Sequence, residues 1–411
     1  MDQILDHRQI ADEMEIFVLD AEVGAGLPLW LPNGSAIREA LERYMKELEQ
    51  KGGYQRVHSP HIAKAALYQR SGHLAKFGNE MFPPIELPSG EEKMYLRPMN
   101  CPHHHKIFAA KMRSYRDLPI RLAEYGQVYR FENSGALRGL SRVRSLCQND
   151  AHIYVQPEKA FEEILKVLNL HEQVYRDLGL VDHHYRLSLH DPSQFHLYQG
   201  QKSDWRVAED FLKKALQHLN LKFVEVAGEA AFYGPKIDVQ MEMAGDREES
   251  VASLQLDICS AENFQLSYRD GAGNDVRPWV IHRAPLGSHE RFVALLLEKF
   301  QGRLPLWLAP VQLAILPMPG AREEDNKRHA EHLADQARAV GARVSLDLSS
   351  GSLNKRMRFV RRFRPGFIVV VGEKECDSSE IVVRGRDSEK IISLKDWKCF
   401  FRESLAGPVQ S

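Results

Sequence analysis

The stretch Arg121-Leu-Ala-Glu-Tyr-Gly-Gln-Val-Tyr-Arg130-Phe-Glu132, together with the loop and the run after it, decides the fold. It reads as a strand ending in Arg-x-Glu. A loop with two glycines, Ser134-Gly135-Ala-Leu-Arg138-Gly139, leads into a second run carrying Arg142 and Arg144. The pattern predicts a hairpin with strands at 120–131 and 142–154. Arginine matters here because its fork geometry suits phosphate oxygens and its charge does not titrate. Such a hairpin suits gripping a nucleotide's phosphates with Arg130 and reading its base with Glu132. A basic, solvated hairpin is the alternative reading of the same residues.

Working outward, further strands are expected at 223–226, 236–243, 251–258 and 279–283, separated by irregular loops. Long strands arranged this way predict an antiparallel sheet. Upstream, a helix at 36–50 is expected to start after Ser35 as N-cap, with Ile37, Leu41, Tyr44, Met45 and Leu48 on one face and Gly52 and Gly53 stopping it. Near Pro305 and Pro310 the pattern changes to strand 311–316, helix 322–340, strand 343–346, helix 352–363 and strand 367–371. Residues 381–383 and a helix from Leu394 complete it. That alternation predicts a small α/β domain with a parallel or mixed sheet. The domain boundary therefore falls at 305/306, giving 1–305 and 306–411.

Composition narrows the classes. The chain has 411 residues, 43% hydrophobic and 27% charged, near the globular average, which argues against disorder and coiled-coil rods. Lys plus Arg number 55 against 56 Asp plus Glu, so any nucleic-acid surface must be local. Five dispersed cysteines argue against a disulfide framework and for a reducing compartment. No run reaches the ~20 apolar residues of a membrane helix, and residues 1–10 offer no secretion signal. The expectation is a cytoplasmic protein with no membrane partner.

Far downstream, Gly287-Ser288-His289-Glu290-Arg291-Phe292 opens an apolar helix whose first N–H groups suit an anion, with Arg291 one turn in. Arg-x-Glu on a hairpin followed by Gly-x-x-x-Arg at a helix start resembles motifs 2 and 3 of the class II aminoacyl-tRNA synthetases. Motif 1 would be helix 36–50 with the strand at 54–57 and Pro60. Within that class the chain is similar to the threonyl-tRNA synthetase family. The matching pieces are Arg97-Pro-Met-Asn-Cys101-Pro, Arg142-Val-Arg144 continuing to Gln148-Asn-Asp150-Ala-His152-Ile, Ala231-Phe-Tyr233-Gly-Pro-Lys236-Ile, and Val280-Ile-His282-Arg-Ala. The resemblance covers essentially the whole chain.

The resemblance implies an α+β fold, an antiparallel class II sheet with flanking helices followed by a smaller α/β anticodon-binding domain. It implies a homodimer paired through motif 1, acting on ATP, L-threonine and tRNA(Thr). It also implies one Zn²⁺ per chain on Cys101, His152 and His282, residues too far apart for any local metal pattern; His103, His104 and His105 are rival ligands. One thiolate and two imidazoles leave a coordination position open. In the family, threonine binds that zinc through its amine and hydroxyl, which rejects valine. By resemblance Asp150 accepts from the substrate hydroxyl, while Gln148, Tyr233 and Gln255 orient the amino acid. Arg130, Glu132, Arg142, Ser288 and Arg291 would bind ATP with its Mg²⁺. Arg130, Lys236 and Arg291 would neutralise charge as the threonine carboxylate attacks the α-phosphorus, without a protein nucleophile. Lys355, Arg356, Arg358, Arg361, Arg362 and Arg364 lie on or just past helix 352–363. Of these Lys355, Arg358, Arg361 and Arg362 would track tRNA phosphates, against the plainer reading of a solvated face.

Departures from the family pattern accompany these matches. The modules that usually precede the core, including the one that hydrolyses seryl-tRNA, are not in the sequence, so activation and transfer are expected without cis editing. Leu146 replaces an aromatic that stacks on adenine, Asn149 an acidic residue, residues 249–253 the usual Trp-Gln-x-Gly-Thr, and Leu187-Ser-Leu-His190 the usual Leu-Ser-Thr-Arg. Three other readings therefore stay open. One is a specialised duplicate activating threonine or another β-hydroxy amino acid for resistance or biosynthesis. Another is a non-catalytic tRNA or amino-acid sensor. The third, a hydrolytic zinc enzyme, would rest on Asp150 as general base.

Overall fold

Contacts group the chain into two units, each discontinuous in sequence: Ala21–Leu27 with Glu49–Leu295, and Met1–Asp20 with Pro28–Leu48 and Leu296–Ser411. The computed structural model describes residues 5–88, 90, 92–243, 247–386 and 388–408; residues 1–4, part of the stretch read for a secretion signal, lie outside them. Among the described residues no helix is long and apolar enough to cross a membrane.

The first unit is built on an eight-stranded sheet. Its order is Phe223–Ala227, His184–Leu189, Lys236–Met243, Arg247–Asp257, Trp279–Ala284, Ser145–Val155, Ile120–Tyr129 and Gln55–Arg56. Every pairing is antiparallel except the two outermost. The helix Ala160–Asp177 buries Ile164, Val167, Leu168, Val174 and Tyr175 and packs against the strand Trp279–Ala284 and the helix Lys202–His218. A separate cluster, with Phe108, Ile120, Leu122, Tyr154 and Phe264 in it, fastens the helix Cys101–Ala109 onto the sheet. There Phe108 stacks on Tyr154 with centroids 4.2 Å apart.

The second unit carries a five-stranded sheet in the order Val344–Leu346, Leu313–Pro317, Phe367–Val371, Glu380–Arg384 and Glu389–Ser393, parallel over the first three and antiparallel after. Both faces are covered. Leu313 and Ile315 join a core with Leu333, Val369, Trp397 and Phe401, while Ala314 and Leu316 pack against Val360 and Phe363. Burial on both sides explains why the strand Leu313–Pro317 is continuously apolar rather than alternating.

Several local expectations need correction. The long helix runs Pro32–Lys51, so Ser35 lies inside it, its amide bonded to the Leu31 carbonyl at 2.9 Å. Proline near the first helical position pre-sets the backbone and needs no hydroxyl cap. Arg142 and Arg144 precede the strand, which begins at Ser145. Arg142 pairs with Arg138 in an isolated bridge, and the Arg144 amide bonds the Gly26 carbonyl at 2.7 Å, which takes both out of the ladder. Among the elements not anticipated are the helices Cys101–Ala109, Ala160–Asp177 and Lys202–His218, the strands His184–Leu189 and Glu389–Ser393 and the short helix Glu373–Asp377. The strand Phe223–Ala227 pairs in parallel with His184–Leu189, across a crossover that contains the helix Lys202–His218. Finally, Arg356 is buried, bonding the Pro317 carbonyl at 2.8 Å and Asp347 at 3.3 Å. It stabilises the fold rather than contributing to a basic surface.

Candidate active site and metal centre

Directly opposed residues of an antiparallel pair share one face of the sheet. The register opposes Lys236 to Gln255, Gln255 to His282, His282 to His152, and His152 to Leu122. One row across the sheet thus presents an ammonium, an amide and two imidazoles to the same side. Along Ser145–Val155 the period of two adds Gln148 and Asp150 to that side. The helix Cys101–Ala109 covers the end of the row. Cys101, His152 and His282 are all buried, with candidate ligand atoms all within 4.8 Å of one another.

Hydrogen bonds assign a tautomer to each imidazole. Glu124 Oε2 lies 3.0 Å from His104 Nε2, and His104 Nδ1 lies 2.8 Å from His152 Nδ1. With Glu124 ionised, His104 donates to it and accepts from His152, which leaves the His152 Nε2 lone pair free. Asp257 Oδ2 accepts from His282 Nε2 at 3.0 Å, leaving Nδ1 free. Metal-binding histidines are oriented in this way by carboxylates behind them. His104, a rival ligand by sequence, is consumed in the relay, and His105 Nδ1 lies 2.9 Å from the Tyr154 hydroxyl. His103 is also buried, beside Tyr68, and lies outside the cluster.

Electrostatics fit the same donor set. Burial, reinforced by His282 and His104, pulls the His152 pKa well down, so the ring is neutral. Burial pushes the Cys101 thiol well up, and Asp150 and Asp257 push it further. A cation here would reverse that balance, since a coordinating thiol loses its proton. One thiolate and two neutral imidazoles suit a zinc ion with an open position.

Next to this centre, Asn100 Nδ2 donates to Asp150 Oδ2 at 2.9 Å and reaches Gln148 Oε1 at 3.5 Å. Gly126 makes room for it: a Cβ there would stand 2.3 Å from both Asn100 amide atoms. Tyr233 donates to Gln255 Oε1 and stacks on His282 with centroids 5.1 Å apart. Neither Asn100 nor Gly126 was singled out from sequence, since a lone amide in a loop signals nothing until its partner strand is known. Gln148, Asp150, Tyr233 and Gln255 thus gather around the metal cluster.

The charged residues expected to bind ATP lie on the hairpin and on the helix His289–Lys299. Gln148 bridges Ser288, where the helix His289–Lys299 starts, and Ser288 Oγ accepts from the Arg291 amide at 3.2 Å. The Arg291 guanidinium donates to the carbonyls of Ser141 at 3.2 Å and Ser250 at 3.0 Å. Burial lowers its pKa, with Arg130 and Arg142 acting in the same sense against Glu249. Arg142 pairs with Glu132 at 2.8 Å, and Arg130 Nε reaches the Pro98 carbonyl at 3.4 Å. Lys236 is held at 2.6 Å by Asp238.

Comparison with known proteins fixes the family. Residues 85–300 match the tRNA synthetase class II core domain (G, H, P, S and T), and residues 312–398 the anticodon binding domain. A solved structure described as the RNA binding domain of threonyl-tRNA synthetase from Cryptosporidium parvum Iowa II superposes with a TM-score of 0.90 at 33% identity, covering 98% of this chain and 99% of that one. The chain belongs to the threonyl-tRNA synthetase family. Threonine--tRNA ligase of Prosthecochloris aestuarii is 43% identical over 382 residues, 92% of this chain, and that of Staphylococcus aureus 44% over 384, or 93%. The chain spans 58% and 59% of the length of those two relatives.

In this threonyl-tRNA synthetase family member, the region matching the anticodon-binding domain carries the helix Leu353–Arg361, capped by Ser352. Lys355, Arg358, Arg361 and Arg362 are exposed and form no ion pair among the described residues. Arg364, at the end of the same run, is instead paired with Glu13 at 2.7 Å.

Proposed function

We propose that the chain activates L-threonine with ATP to threonyl-adenylate and transfers it to tRNA(Thr), as a homodimer in the cytoplasm. The reading is carried by the Cys101, His152 and His282 cluster with Asp150 beside it, together with Arg142 in the hairpin loop and Arg291 on the helix His289–Lys299. Zinc on those three ligands supplies a Lewis-acid position open to the amine and hydroxyl of the amino acid. Asp150, held by Asn100, accepts the hydroxyl proton. Gln148, Tyr233 and Gln255 orient the α-carbon so that the carboxylate faces ATP. Arg130 and Arg291, with Mg²⁺ on the phosphates, offset charge as the carboxylate oxygen bonds the α-phosphorus and pyrophosphate departs with the bridging electron pair. Lys236 adds a positive charge on the same face, Glu132 takes the adenine amine, and Arg142 and Ser288 hold phosphate oxygens. A hydroxyl of the tRNA 3′ end then displaces AMP.

For the tRNA body we assign Lys355, Arg358, Arg361 and Arg362. The dimer is assigned to the helix Pro32–Lys51 and Pro60, and the five free cysteines accord with a reducing compartment. No editing chemistry is proposed for residues 1–411. Leu146 and Glu249 keep a second reading in play, a duplicate that activates another β-hydroxy amino acid.

Threonine-dependent ATP–pyrophosphate exchange, run across threonine, serine, valine and other β-hydroxy amino acids, tests the proposal. A sensor would show binding without exchange, and a duplicate with another substrate would show its maximum elsewhere.

A further inference from the structure

We propose that Arg186 is a positioning residue that keeps a net positive charge at Lys236. The proposal rests on the role given to Lys236 above and adds a residue outside the pieces of sequence that match the family. Arg186 lies on the strand His184–Leu189, directly opposite Asp238, and Ser188 lies opposite Lys236. All four side chains therefore share the face of the sheet that carries Gln255 and His282. Asp238 is 3% exposed, and one of its oxygens collects three donors. Oδ2 accepts from the Lys236 ammonium at 2.6 Å, the Ser188 hydroxyl at 2.9 Å and Arg186 Nη2 at 3.3 Å.

Arg186 is itself held in place. Its Nη2 also donates to Ser250 Oγ at 3.0 Å, and that hydroxyl accepts from Gln240 Nε2 at 2.8 Å as well. The main chain of Ser250 is fixed too, since its carbonyl accepts from Arg291 at 3.0 Å. Beside it Val251 bulges out of the pairing between Lys236–Met243 and Arg247–Asp257, and Gly287 leaves room for the Val251 carbonyl, which would stand 2.3 Å from a Cβ there. The charges decide what this arrangement does. Lys236 and Asp238 alone form a neutral pair, and an ammonium matched by a buried carboxylate has little charge left for a reacting group. Arg186 brings a second cation to the same oxygen, and its guanidinium does not titrate. Together the three groups carry one positive charge, and Lys236 is the member in the row with Gln255 and His282. Electrostatic stabilisation of a reacting phosphorus depends on fixed charge of this kind. Arg186 acts through Asp238 on Lys236, not on the substrate.

Arg186→Gln in the full chain tests this, since it keeps an amide donor for Asp238 and Ser250 and removes the charge. It should lower kcat for threonine-dependent exchange on the order of tenfold, with kcat/KM falling equally and the Michaelis constant for threonine unchanged. Arg186→Lys restores the charge and should recover most of kcat. Because Arg186 acts through Lys236, adding Arg186→Gln to Lys236→Met should slow exchange no further than Lys236→Met does alone. Losses that multiply in the double variant overturn the proposal, as does an unchanged kcat in Arg186→Gln. So does a rise confined to the Michaelis constant for ATP, which would put Arg186 on ATP itself. A loss that Arg186→Lys fails to recover, with a lowered melting temperature, also overturns it and makes Arg186 a prop for its strand. If the wild-type chain shows no exchange with any amino acid, the functional reading fails on its own. The same double-variant cycle is then read by calorimetry of ATP binding with Mg²⁺, where coupled effects of Arg186 and Lys236 uphold the proposal and independent ones overturn it.

Discussion

His152 and His282 stand directly opposite one another on adjacent antiparallel strands, their ring centroids 4.3 Å apart and their planes at 71°. Neither ring is aimed by its own strand alone. Asp257 holds His282 from one side, and Glu124 holds His152 through His104. Glu124 also takes the Ser59 amide at 3.1 Å and Arg97 at 3.2 Å, so the segment after Arg56, the loop before Cys101 and the metal cluster share one carboxylate. Geometry at the candidate metal centre therefore depends on residues outside its ligand set.

Removing a ligand should remove the metal. The wild-type chain is expected to hold one zinc, and His282→Ala or Cys101→Ala to lose it together with threonine-dependent exchange. Elemental analysis of the purified variants checks this; full zinc occupancy in His282→Ala would refute the assignment.

Glu124 should give the fold a specific acid sensitivity. Burial acts to raise its pKa, but hydrogen bonds from His104 and Ser59 and the Arg97 charge outweigh it and bring it from 4.5 down to about 2. Because the folded value lies below the unfolded one, the stabilisation is fully present above about pH 4.5 and is lost as pH falls toward 2. A shift of this size corresponds to about 3 kcal/mol. Urea denaturation at pH 6 and pH 3 should show Glu124→Gln less stable at pH 6 and losing less on acidification. Parallel pH profiles for the two proteins would rule out the role.

Gly126→Ala should resemble Asn100→Ala. The added methyl meets the Asn100 amide at 2.3 Å, so Asn100 must move and Asp150 loses its donor. The expected cost is about 1–3 kcal/mol of stability from overpacking. A loss of roughly tenfold or more is expected in kcat/KM for threonine, about 1.4 kcal/mol or above. The double variant should be little worse than either single one, since both remove the same contact. Additive losses would separate the two residues.

The candidate site residues were named from the family motifs they match; a strand's period of two, visible in the sequence, puts Gln148, Asp150 and His152 on one face, and the strand Lys236–Met243 was expected with the limits it has. What a sequence hides is register. Nothing in the residues themselves opposes Gln255 to His282, and without that register neither the row nor the space Gly126 leaves for Asn100 can be drawn. Solvent direction is hidden too. Arg356 reads like its neighbours Lys355 and Arg358 until the helix is docked, when it alone turns inward to Asp347. The short parallel strand His184–Leu189 escaped because parallel pairing is made by a distant segment, Phe223–Ala227.

Charge removal on the helix Leu353–Arg361 and at Arg362 just beyond it should separate the RNA from the amino acid. Neutral residues at Arg358, Arg361 and Arg362 should weaken tRNA binding and flatten its dependence on salt, because fewer counterions are released. Exchange with threonine should be unaffected. Arg356→Ala is the contrast: its target is the buried contact to Asp347 and Pro317, so it should lower the melting temperature. Filter binding across a salt series measures the first effect, and an unchanged slope in the triple variant would leave the helix a solvated face.

Selectivity among amino acids should follow the hydroxyl rather than the shape. Serine keeps the amine and the hydroxyl that Asp150 and the metal would hold, and lacks one methyl. A single methyl in an apolar contact is worth ~1–3 kcal/mol, so serine should be activated roughly 10–200-fold less well than threonine. Valine has the shape without the hydroxyl and would leave Asp150 and its Asn100 partner facing an unpaired methyl. A site built to bond a hydroxyl rejects the analogue lacking it by roughly 10⁴-fold or more, so valine should fall below detection. Asp150→Ala should lower threonine activation far more than any residual valine activation, narrowing the ratio between them. Exchange kinetics with the three amino acids on both proteins measure this. Valine activation comparable to serine in the wild-type chain would mean that the pocket reads shape alone, and the roles given to Asp150 and the metal cluster would both fall.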